Sequence, residues 1–476
     1  MAERPNIVLL VLDSVRVANV SCYGYERETT PALDELARQG ALFEQAISVG
    51  CWTLPVHTTV FTGLYPFSHG VTISRDALPE GAPTLARRLR EIGYGTVCFS
   101  NNPYISAATG LTQGFETVED LWRLTRPRGI AKPKGSARLA GLKDRGGPAA
   151  RVVLPLARMA ARSRRAVRAM RAWRSTSDSG ARLTNERIRA WLDGRQSDEP
   201  FFVFVNYMES HERYAPPYPY GRRFMRSAPS PLALARANAS KAEILGGDED
   251  RRARDIETVR SLYDGCLRYL DERVGELVEM LRSQGILDDT VVIVASDHGD
   301  SLGEHGFLGH RLHLYEPLVH VPLVIRYPKR FPAGTRVSEQ VQLGDLFPTI
   351  LDLSGAEGAA AGNGFKSLAG PFGGGHAFTV AENTAPKSMG GIRMRMVRDV
   401  QHKLIWRSDG KHELYDLTAD PGERSNRVLS EPALAGRLIG ELDAWEQSLE
   451  ADALGTSAAE YDDEVLERLR GLGYIE

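Results

Sequence analysis

Short runs of apolar residues recur along the chain, and most of them are followed at once by a polar residue. The runs occupy residues 6–12, 93–99, 201–206, 290–296 and 321–326. Unbroken apolar runs of this length are typical of strands that are covered on both faces. Helical patterns at 85–92 and 256–284 lie between them. This alternation predicts an α/β fold with a large, mostly parallel central sheet.

Polar residues follow the predicted strands where the strands would leave the sheet. Asp13 follows the first strand, Asn101 the second, and Asp297 with His298 the fourth. The sequence Glu-Ser-His at 209–211 follows the third. Because ligands bind beyond the carboxyl ends of the strands in open α/β sheets, we expect these side chains to share one site. Asp and His are good ligands for a divalent metal ion, so this edge is a candidate metal site.

Changes in composition divide the chain. Residues 1–355 are predicted to form the catalytic α/β domain, which a basic insertion at 121–178 interrupts. Sixteen Lys or Arg residues and one acid, Asp144, lie between positions 123 and 174. We interpret the insertion as a solvated loop, with a substrate-covering lid or a contact with an anionic surface through 123–174 as alternatives. A Gly- and Ala-rich linker is predicted at 356–376.

Residues 377–476 are predicted to form a smaller C-terminal subdomain. Four short β patterns indicate an antiparallel sheet, at 377–381, 394–398, 403–407 and 412–415. Two helical patterns, at 433–449 and 463–472, close the chain. No internal repeat is visible in the sequence, so a repeat architecture is not expected.

Composition and charge are those of a soluble globular protein. The 476 residues are 42% hydrophobic and 25% charged, with a formal net charge of −2, so no nucleic-acid partner is expected. The first apolar run ends at Asp13 and is too short for a signal peptide or a transmembrane span. Four scattered cysteines without a CxxC pattern favour a reducing compartment. A cytoplasmic location is therefore predicted.

Thr53 lies at a predicted helix start, in the sequence Thr-Leu-Pro-Val-His at 53–57. Pro55 in the first turn is typical of such a start. On its own Thr53 could be a helix N-cap, just as Asp13 could cap a turn. A hydroxyl at this end of a helix also faces backbone N–H groups that favour an anion, so capping is compatible with a catalytic role.

Several motifs in a fixed order resemble the sulfatase-type enzymes of the alkaline phosphatase superfamily. These motifs lie at 8–13, 53–57, 61–66, 207–211, 296–306, 345–349 and 413–423. The last of them is similar to the C-terminal subdomain of that family. The resemblance therefore covers most of the chain except the basic insertion.

The resemblance implies a fold and a set of site residues. The fold would be an alkaline phosphatase/sulfatase-like sandwich with a smaller C-terminal antiparallel-sheet subdomain. The metal ligands would be Asp13, Thr53, Asp297 and His298. Thr53 would be the nucleophile, and the other catalytic residues would be His57, His211 and His310. The last two would also contact substrate oxygens, and we group Asn101, at its strand end, with them as a substrate-binding residue.

One position sets the chain apart from the classical sulfatases. Those enzymes place a cysteine at the nucleophile position and oxidise it to formylglycine, whereas this chain has Thr53. Cys51 lies two residues early and lacks the spacing to Pro55, so we reject it as a formylglycine precursor. Ser14 replaces an acid of the family motif, which removes one charged ligand. The pattern matches branches with a threonine nucleophile, such as phosphodiesterases and phosphoethanolamine or glycerol-phosphate transferases.

We therefore predict a metal-dependent hydrolase that cleaves a phosphate mono- or diester, or a sulfate ester, through a covalent Thr53 intermediate. A formylglycine hydrate can expel sulfate by collapsing to the aldehyde. A threonine sulfate must instead be cleaved by direct attack, so the substitution favours phosphoesters. The alternatives are a sulfatase, a phosphoryl-group transferase and a non-catalytic binding protein on the same fold.

The implied cofactor is one divalent metal ion. Asp and His ligands favour Zn or Mn, and Ca or Mg are also compatible with them. The implied partner is a small-molecule phosphate or sulfate ester, which leaves the natural alcohol of the ester open.

Overall fold

The structure is a computed structural model of the full chain. It describes residues 4–72, 76–125, 178–195, 199–225, 237, 241–246, 248–310, 313–356, 364–370, 375–384, 391–449 and 453–472. Nearly all of the basic insertion and most of the predicted linker lie outside these ranges. The predictions for those two segments therefore stay predictions, as does the division of the chain into domains.

An eight-stranded sheet forms the centre of the protein. In sheet order its strands are β11 (Thr335–Gln342), β2 (Ala41–Ile47), β10 (Leu323–Arg326), β7 (Thr290–Ala295), β1 (Asn6–Leu12), β6 (Phe201–Tyr207), β4 (Gly95–Ser100) and β5 (Thr117–Asp120). β10 runs antiparallel to both of its neighbours, and all remaining pairs of neighbouring strands in the sheet are parallel. The predicted large, mostly parallel sheet is confirmed.

A second, antiparallel sheet lies in the C-terminal part of the chain, as predicted. Its strands are β12 (Thr379–Thr384), β13 (Arg393–Arg398), β14 (His402–Arg407) and β15 (Glu413–Asp416). Two short strand pairs complete the described strands: β3 (Asp76–Ala77) with β16 (Ser457–Ala458), and β8 (Ser301–Leu302) with β9 (Leu308–Gly309).

The helices cover both faces of the central sheet. The α-helices are Pro31–Gln39, Thr53–Thr62, Pro66–His69, Leu85–Glu91, Leu121–Leu124, Ala181–Gly194, Tyr220–Arg223, Lys241–Leu245, Glu249–Ser283, Glu316–Val319, Leu346–Ser354, Pro432–Gln447 and Asp463–Gly471. Short 3₁₀ turns lie at Val17–Asn19, Ser21–Tyr23, Ala107–Thr109, Leu287–Asp289, Glu304–Gly306 and Leu343–Asp345. Within the described ranges, no helix combines the length and the apolarity that a membrane crossing requires.

Alternation along β1 shows why its apolar run is unbroken. Ile7, Leu9 and Val11 belong to a hydrophobic cluster on one face of the sheet. The residues between them, Val8 and Leu10, belong to a cluster on the opposite face. Burial of each such side chain stabilises the fold by roughly 1.5–3 kcal/mol. A polar residue at any of these positions would therefore be removed from water, whichever face of the sheet its side chain occupied.

Three strands of the central sheet are absent from the sequence prediction. β2, β5 and β11 carry half-buried or exposed polar residues, so their apolar signal is interrupted. The direction of β10 also escaped prediction, because a buried apolar run looks the same in either direction. The long helix begins at Glu249 rather than 256, because its first turns are charged and exposed while Asp248 caps them through the Arg251 amide.

Substitution of Gly40 tests the packing of the sheet. A Cβ on Gly40 would lie 2.3 Å from the carbonyl oxygen of Ile325 in β10, where only backbone could move aside. Gly40→Ala is expected to destabilise the protein by about 1–3 kcal/mol through this overpacking. Gly440→Ala is the matched control, because nothing lies within 4 Å of its added Cβ and it sits in the helix Pro432–Gln447.

Urea unfolding of the two variants measures the difference. Gly440→Ala is expected to stabilise the chain by about 0.5–1 kcal/mol, because alanine is more favourable than glycine in the interior of a helix. A Gly40→Ala variant as stable as the unmodified chain would contradict the packing described here.

Candidate active site

The candidate site lies beyond the carboxyl ends of the central strands. Asp13 directly follows β1, and Asp297 and His298 follow the neighbouring β7. One ligand atom from each of these three residues lies within 4.8 Å of the others, and all three side chains are buried. In the parts of the chain that the structure describes, they form the one group of three or more His, Cys, Asp and Glu residues able to hold an ion.

Thr53 joins this group from the helix Thr53–Thr62. Its Oγ1 lies 3.5 Å from His298 Nε2. The same nitrogen lies 3.5 Å from Asp297 Oδ2 and 3.9 Å from Asp13 Oδ1. Ligands that share one ion through bonds of about 2.1 Å are about 3.4 Å apart in a tetrahedral site. The structure therefore brings together the four residues that the family resemblance nominated as metal ligands, with Thr53, Asp297 and Asp13 each 3.5–3.9 Å from His298 Nε2.

The hydrogen bonds of these residues also fit a metal site. His298 Nδ1 lies 2.9 Å from the carbonyl oxygen of Gly299, so its N–H donates there. Nε2 then carries no proton, and its lone pair is directed at the carboxylates. This is the tautomer that a metal-bound histidine needs. Asp297 Oδ2 is buried and has no hydrogen-bond partner among the described residues. A divalent cation would satisfy that oxygen.

Ser14 connects the two carboxylates, a role that the sequence did not reveal. Its backbone N–H donates to Asp297 Oδ1 at 3.2 Å, and its hydroxyl donates to Asp13 Oδ1 at 3.0 Å. The residue adopts a left-handed conformation, with φ of 64°. A residue other than glycine in that region has a strained backbone, and such residues cluster at functional sites.

The charges of the site depend on one another. Burial raises the pKa of the Asp13 carboxyl, but the neighbouring His211 and His298 outweigh burial, so that pKa lies below its usual value. Burial and the charge of Asp13 raise the pKa of Asp297. For His298, burial lowers the pKa, but Asp297 and Asp13 outweigh burial and raise it. Two adjacent buried carboxylates resist carrying two charges unless a cation compensates them.

Two further histidines extend the site away from the carboxylates. The ring of His310 stacks on that of His298, with centroids 4.4 Å apart. His310 Nε2 lies 3.0 Å from Nε2 of His211. His211 Nδ1 lies 2.7 Å from the carbonyl of Glu212 and donates there, so in the neutral pair His310 donates to His211. Burial lowers the pKa of His211.

His57 contacts Thr53, the residue that begins its own helix. Its Nδ1 lies 2.8 Å from the carbonyl oxygen of Thr53 and 3.7 Å from Asp297 Oδ2. Its Nε2 is buried and lacks a hydrogen-bond partner among the described residues. The ring packs edge-on against Phe61 and Phe204. In this structure His57 holds the start of the helix Thr53–Thr62, and its predicted contact with substrate stays a prediction.

Asn101 and Asn102 follow β4 and make different side-chain hydrogen bonds. The side chain of Asn101 donates to Thr184 Oγ1 at 2.8 Å and to the carbonyl of Asn206 at 2.9 Å. The neighbouring Asn102 donates to Asp13 Oδ2 at 2.9 Å. The structure therefore places Asn102, not Asn101, against the carboxylates. The substrate contact predicted for Asn101 stays a prediction.

Other acids and histidines that could have served a second metal are engaged elsewhere. Glu209 Oε1 accepts hydrogen bonds from the backbone of Ser179 and Ala181. His376 pairs with Asp345 at 2.9 Å, and His402 lies 3.5 Å from a carboxylate oxygen of Asp399. The prediction of one metal ion, with no second site, stays a prediction.

Two known families match the chain. Residues 5–356 of the chain match the family described as Sulfatase. Residues 303–442 match the family described as N-sulphoglucosamine sulphohydrolase, C-terminal. The chain therefore belongs to the sulfatase family, which confirms the resemblance that its motifs showed.

Individual relatives are distant but similar along most of the chain. Steryl-sulfatase of Mus musculus is 26% identical over 398 residues, which are 74% of this chain and 62% of that protein. The chain thus spans less than two thirds of the steryl-sulfatase. Arylsulfatase of Clostridium perfringens (strain 13 / Type A) is 24% identical over 473 residues, covering 90% of this chain and 91% of that protein.

A solved structure with the same fold is the phosphonate monoester hydrolase of Agrobacterium radiobacter. It superimposes with a TM-score of 0.68 and 22% sequence identity, covering 94% of this chain and 96% of that chain. At this level of identity the likeness shows the fold, which agrees with the predicted alkaline phosphatase/sulfatase-like sandwich.

Replacement of Asp297 tests the electrostatics of the site. Its raised pKa means that folding takes up a proton between the ordinary carboxyl pKa of about 4 and the raised value. The stability of the metal-free protein should therefore fall as the pH rises through that window. Asp297→Asn removes the contribution of this carboxyl to that pH dependence and is expected to stabilise the metal-free chain near neutral pH. Thermal unfolding in excess EDTA, from about pH 4 to about pH 8, measures the effect.

Addition of a divalent ion completes this test. An ion that binds the folded state raises the melting temperature of the unmodified chain, whereas Asp297→Asn should lose that rise. Asp443→Asn, an exposed acid on the helix Pro432–Gln447, is the control and should change neither quantity. An Asp297→Asn variant that is less stable without metal and still stabilised by the ion would contradict the account.

Proposed function

We propose that the chain is a metal-dependent hydrolase of phosphate esters in which Thr53 is the nucleophile. The observation that carries this proposal is the position of the Thr53 hydroxyl, buried at the start of a ten-residue helix and 3.5 Å from His298 Nε2. A threonine that merely capped a helix would not need two carboxylates and a histidine beside it. A helix N-terminus also favours the negative charge of a substrate anion.

A neutral threonine hydroxyl is a weak nucleophile and needs activation. Asp13, Asp297, His298 and the Thr53 oxygen would hold one divalent metal ion. When bound, such an ion lowers the pKa of a hydroxyl and neutralises the charge of the group being transferred. Ser14 and Asn102 keep the carboxylates in place through their hydrogen bonds to Asp13. His57 holds the carbonyl of Thr53 and so orients the first turn of the helix.

The reaction proceeds in two steps on these residues. In the first, the Thr53 hydroxyl releases its proton to solvent, and its oxygen forms a bond to phosphorus while the bond to the departing alcohol breaks. The hydrogen-bonded pair His211 and His310, carrying one extra proton, gives that proton to the departing alcohol, because its shared hydrogen bond lets one ring recharge the other. In the second step water attacks phosphorus and the bond between phosphorus and the Thr53 oxygen breaks. The histidine pair takes one proton of the water, and Thr53 takes up a proton from solvent.

Sulfate esters are the second candidate substrates. The relatives named above include a steryl-sulfatase and an arylsulfatase, which favours sulfate. Thr53 favours phosphate, because a threonine sulfate has no route of release other than direct attack by water. A phosphoryl-group transferase would use the same first step with an alcohol in place of water. A non-catalytic binding protein is disfavoured by the intact set of four candidate ligands.

Thr53→Ala tests the proposal directly. The metal-reconstituted protein is assayed with aryl phosphate, diaryl phosphate, aryl phosphonate and aryl sulfate esters. We expect the phosphoesters to be the better substrates, and Thr53→Ala to lower kcat by about 10³-fold or more, since removal of a nucleophile has effects of this size. Mass spectrometry of the quenched reaction should show a phosphoryl group on the peptide that contains Thr53.

Thr58→Ala is the matched control for this experiment. Thr58 is buried in the same helix, but its hydroxyl donates to the carbonyl of Leu54 at 2.8 Å. Its replacement should leave kcat within a few-fold of the unmodified chain. Full turnover by Thr53→Ala would exclude Thr53 as the nucleophile. A sulfuryl group on the Thr53 peptide, together with faster turnover of the sulfate ester, would establish sulfate esters as the substrates.

A further inference from the structure

A short helix outside the site holds the loops that carry the candidate metal ligands. In the helix Glu316–Val319, the carbonyl of Leu318 accepts a hydrogen bond from the Gly299 N–H at 2.8 Å. The carbonyl of Val319 accepts one from the Ser48 N–H at 2.7 Å. The Ser48 hydroxyl in turn donates to the carbonyl oxygen of Asp297 at 2.5 Å. The backbone on both sides of His298 is thus tied to this helix.

The contact between the helix and the ligand loop leaves no free space. A Cβ on Gly299 would lie 2.1 Å from the carbonyl oxygen of Pro317. The backbone beside His298 is therefore packed directly onto the backbone of the helix. A shift of the helix by a few tenths of an ångström must move the loop, because close-packed interiors transmit strain.

Charges from the C-terminal sheet fix the position of this helix. The Glu316 carboxylate accepts hydrogen bonds from Arg398 Nε at 3.1 Å and from an Arg398 terminal nitrogen at 3.2 Å. It also pairs with Lys403 Nζ at 3.1 Å. Arg398 lies on β13 and Lys403 on β14. The two cations outweigh the effect of burial and lower the pKa of Glu316, so the carboxylate is charged at neutral pH.

A second acid closes the network. Lys403 Nζ lies 2.8 Å from Glu423 Oε1, and the other carboxylate oxygen of Glu423 accepts the N–H of Glu316 at 2.7 Å. The side chains of Lys403 and Glu423 are 0% and 1% exposed. Displacement of this network would leave the buried Lys403 cation without its carboxylate partners, which disfavours other arrangements of the helix.

We propose that Glu316 is a positioning residue for the metal ligands, through which the C-terminal sheet sets the geometry of the site. The inference rests on the proposed function in that Asp297 and His298 are taken as ligands. The path runs from Lys403 and Arg398 to Glu316, along its helix, and into the loop at Gly299. An intact C-terminal sheet is then a condition for tight metal binding, although none of the candidate ligands belongs to that sheet.

The experiment compares metal affinity in matched variants of the full chain. Glu316→Gln keeps the shape of the side chain and removes its charge. Lys403→Met removes a charge of the network, and Lys403→Arg keeps it. The control is Glu446→Gln, because Glu446 pairs with Arg395 on the same β13 but in an ion pair that does not include the helix Glu316–Val319.

Two readouts separate positioning from general destabilisation. The first is the Kd for Mn²⁺, measured by calorimetry on protein stripped with a chelator. The second is amide hydrogen exchange of the peptides that contain Ser48 and Gly299, in metal-free protein. Thermal unfolding establishes that each variant is folded under the conditions used.

We expect Glu316→Gln to weaken Mn²⁺ binding about tenfold, at the lower end of the effects seen for groups that orient metal ligands. Exchange at Ser48 and Gly299 should be faster than in Glu446→Gln. Lys403→Arg should retain more affinity than Lys403→Met. A Kd within twofold of the unmodified chain, in folded Glu316→Gln with unchanged exchange, would overturn the inference.

The failure of the proposed function gives a different result. If the unmodified chain binds no divalent ion, the metal site is wrong, and the exchange rates alone decide the inference. Faster exchange in Glu316→Gln than in Glu446→Gln would still support the positioning role, and equal exchange would refute it.

Discussion

The close approach of two buried carboxylates, Asp13 and Asp297, is the constraint on which the rest of the site depends. Each ends a central strand, and the parallel pairing of β1 with β7 brings them together. Burial penalises both charges, and each charge repels the other. Ser14 and the histidines offset part of this cost. In the proposed function, a divalent cation would offset the remainder and activate the adjacent Thr53 hydroxyl.

The sequence was sufficient to nominate this group because sheet topology makes strand ends converge. An apolar run ending in Asp13 and another ending in Asp297 and His298 predict proximity once the strands are parallel. Thr53 entered through its helix-start signature together with the family resemblance. Those four residues lie together in the structure.

Other features depend on details that no sequence pattern encodes. The choice between Asn101 and Asn102 is set by which way each side chain points after β4. Ser14 combines a left-handed conformation with hydrogen bonds to both carboxylates, a combination that no sequence pattern predicts. The network of Lys403 with Glu316 joins residues far apart in the chain, and only the folded arrangement of the C-terminal sheet brings them into contact.

Binding of one metal ion by Asp13, Thr53, Asp297 and His298 can be tested by anomalous diffraction from crystals of the full chain grown with Mn²⁺. We expect a single strong peak within about 2–2.5 Å of a side-chain atom of each of these residues. A peak elsewhere in the protein, or none at this cluster at saturating metal, would contradict it.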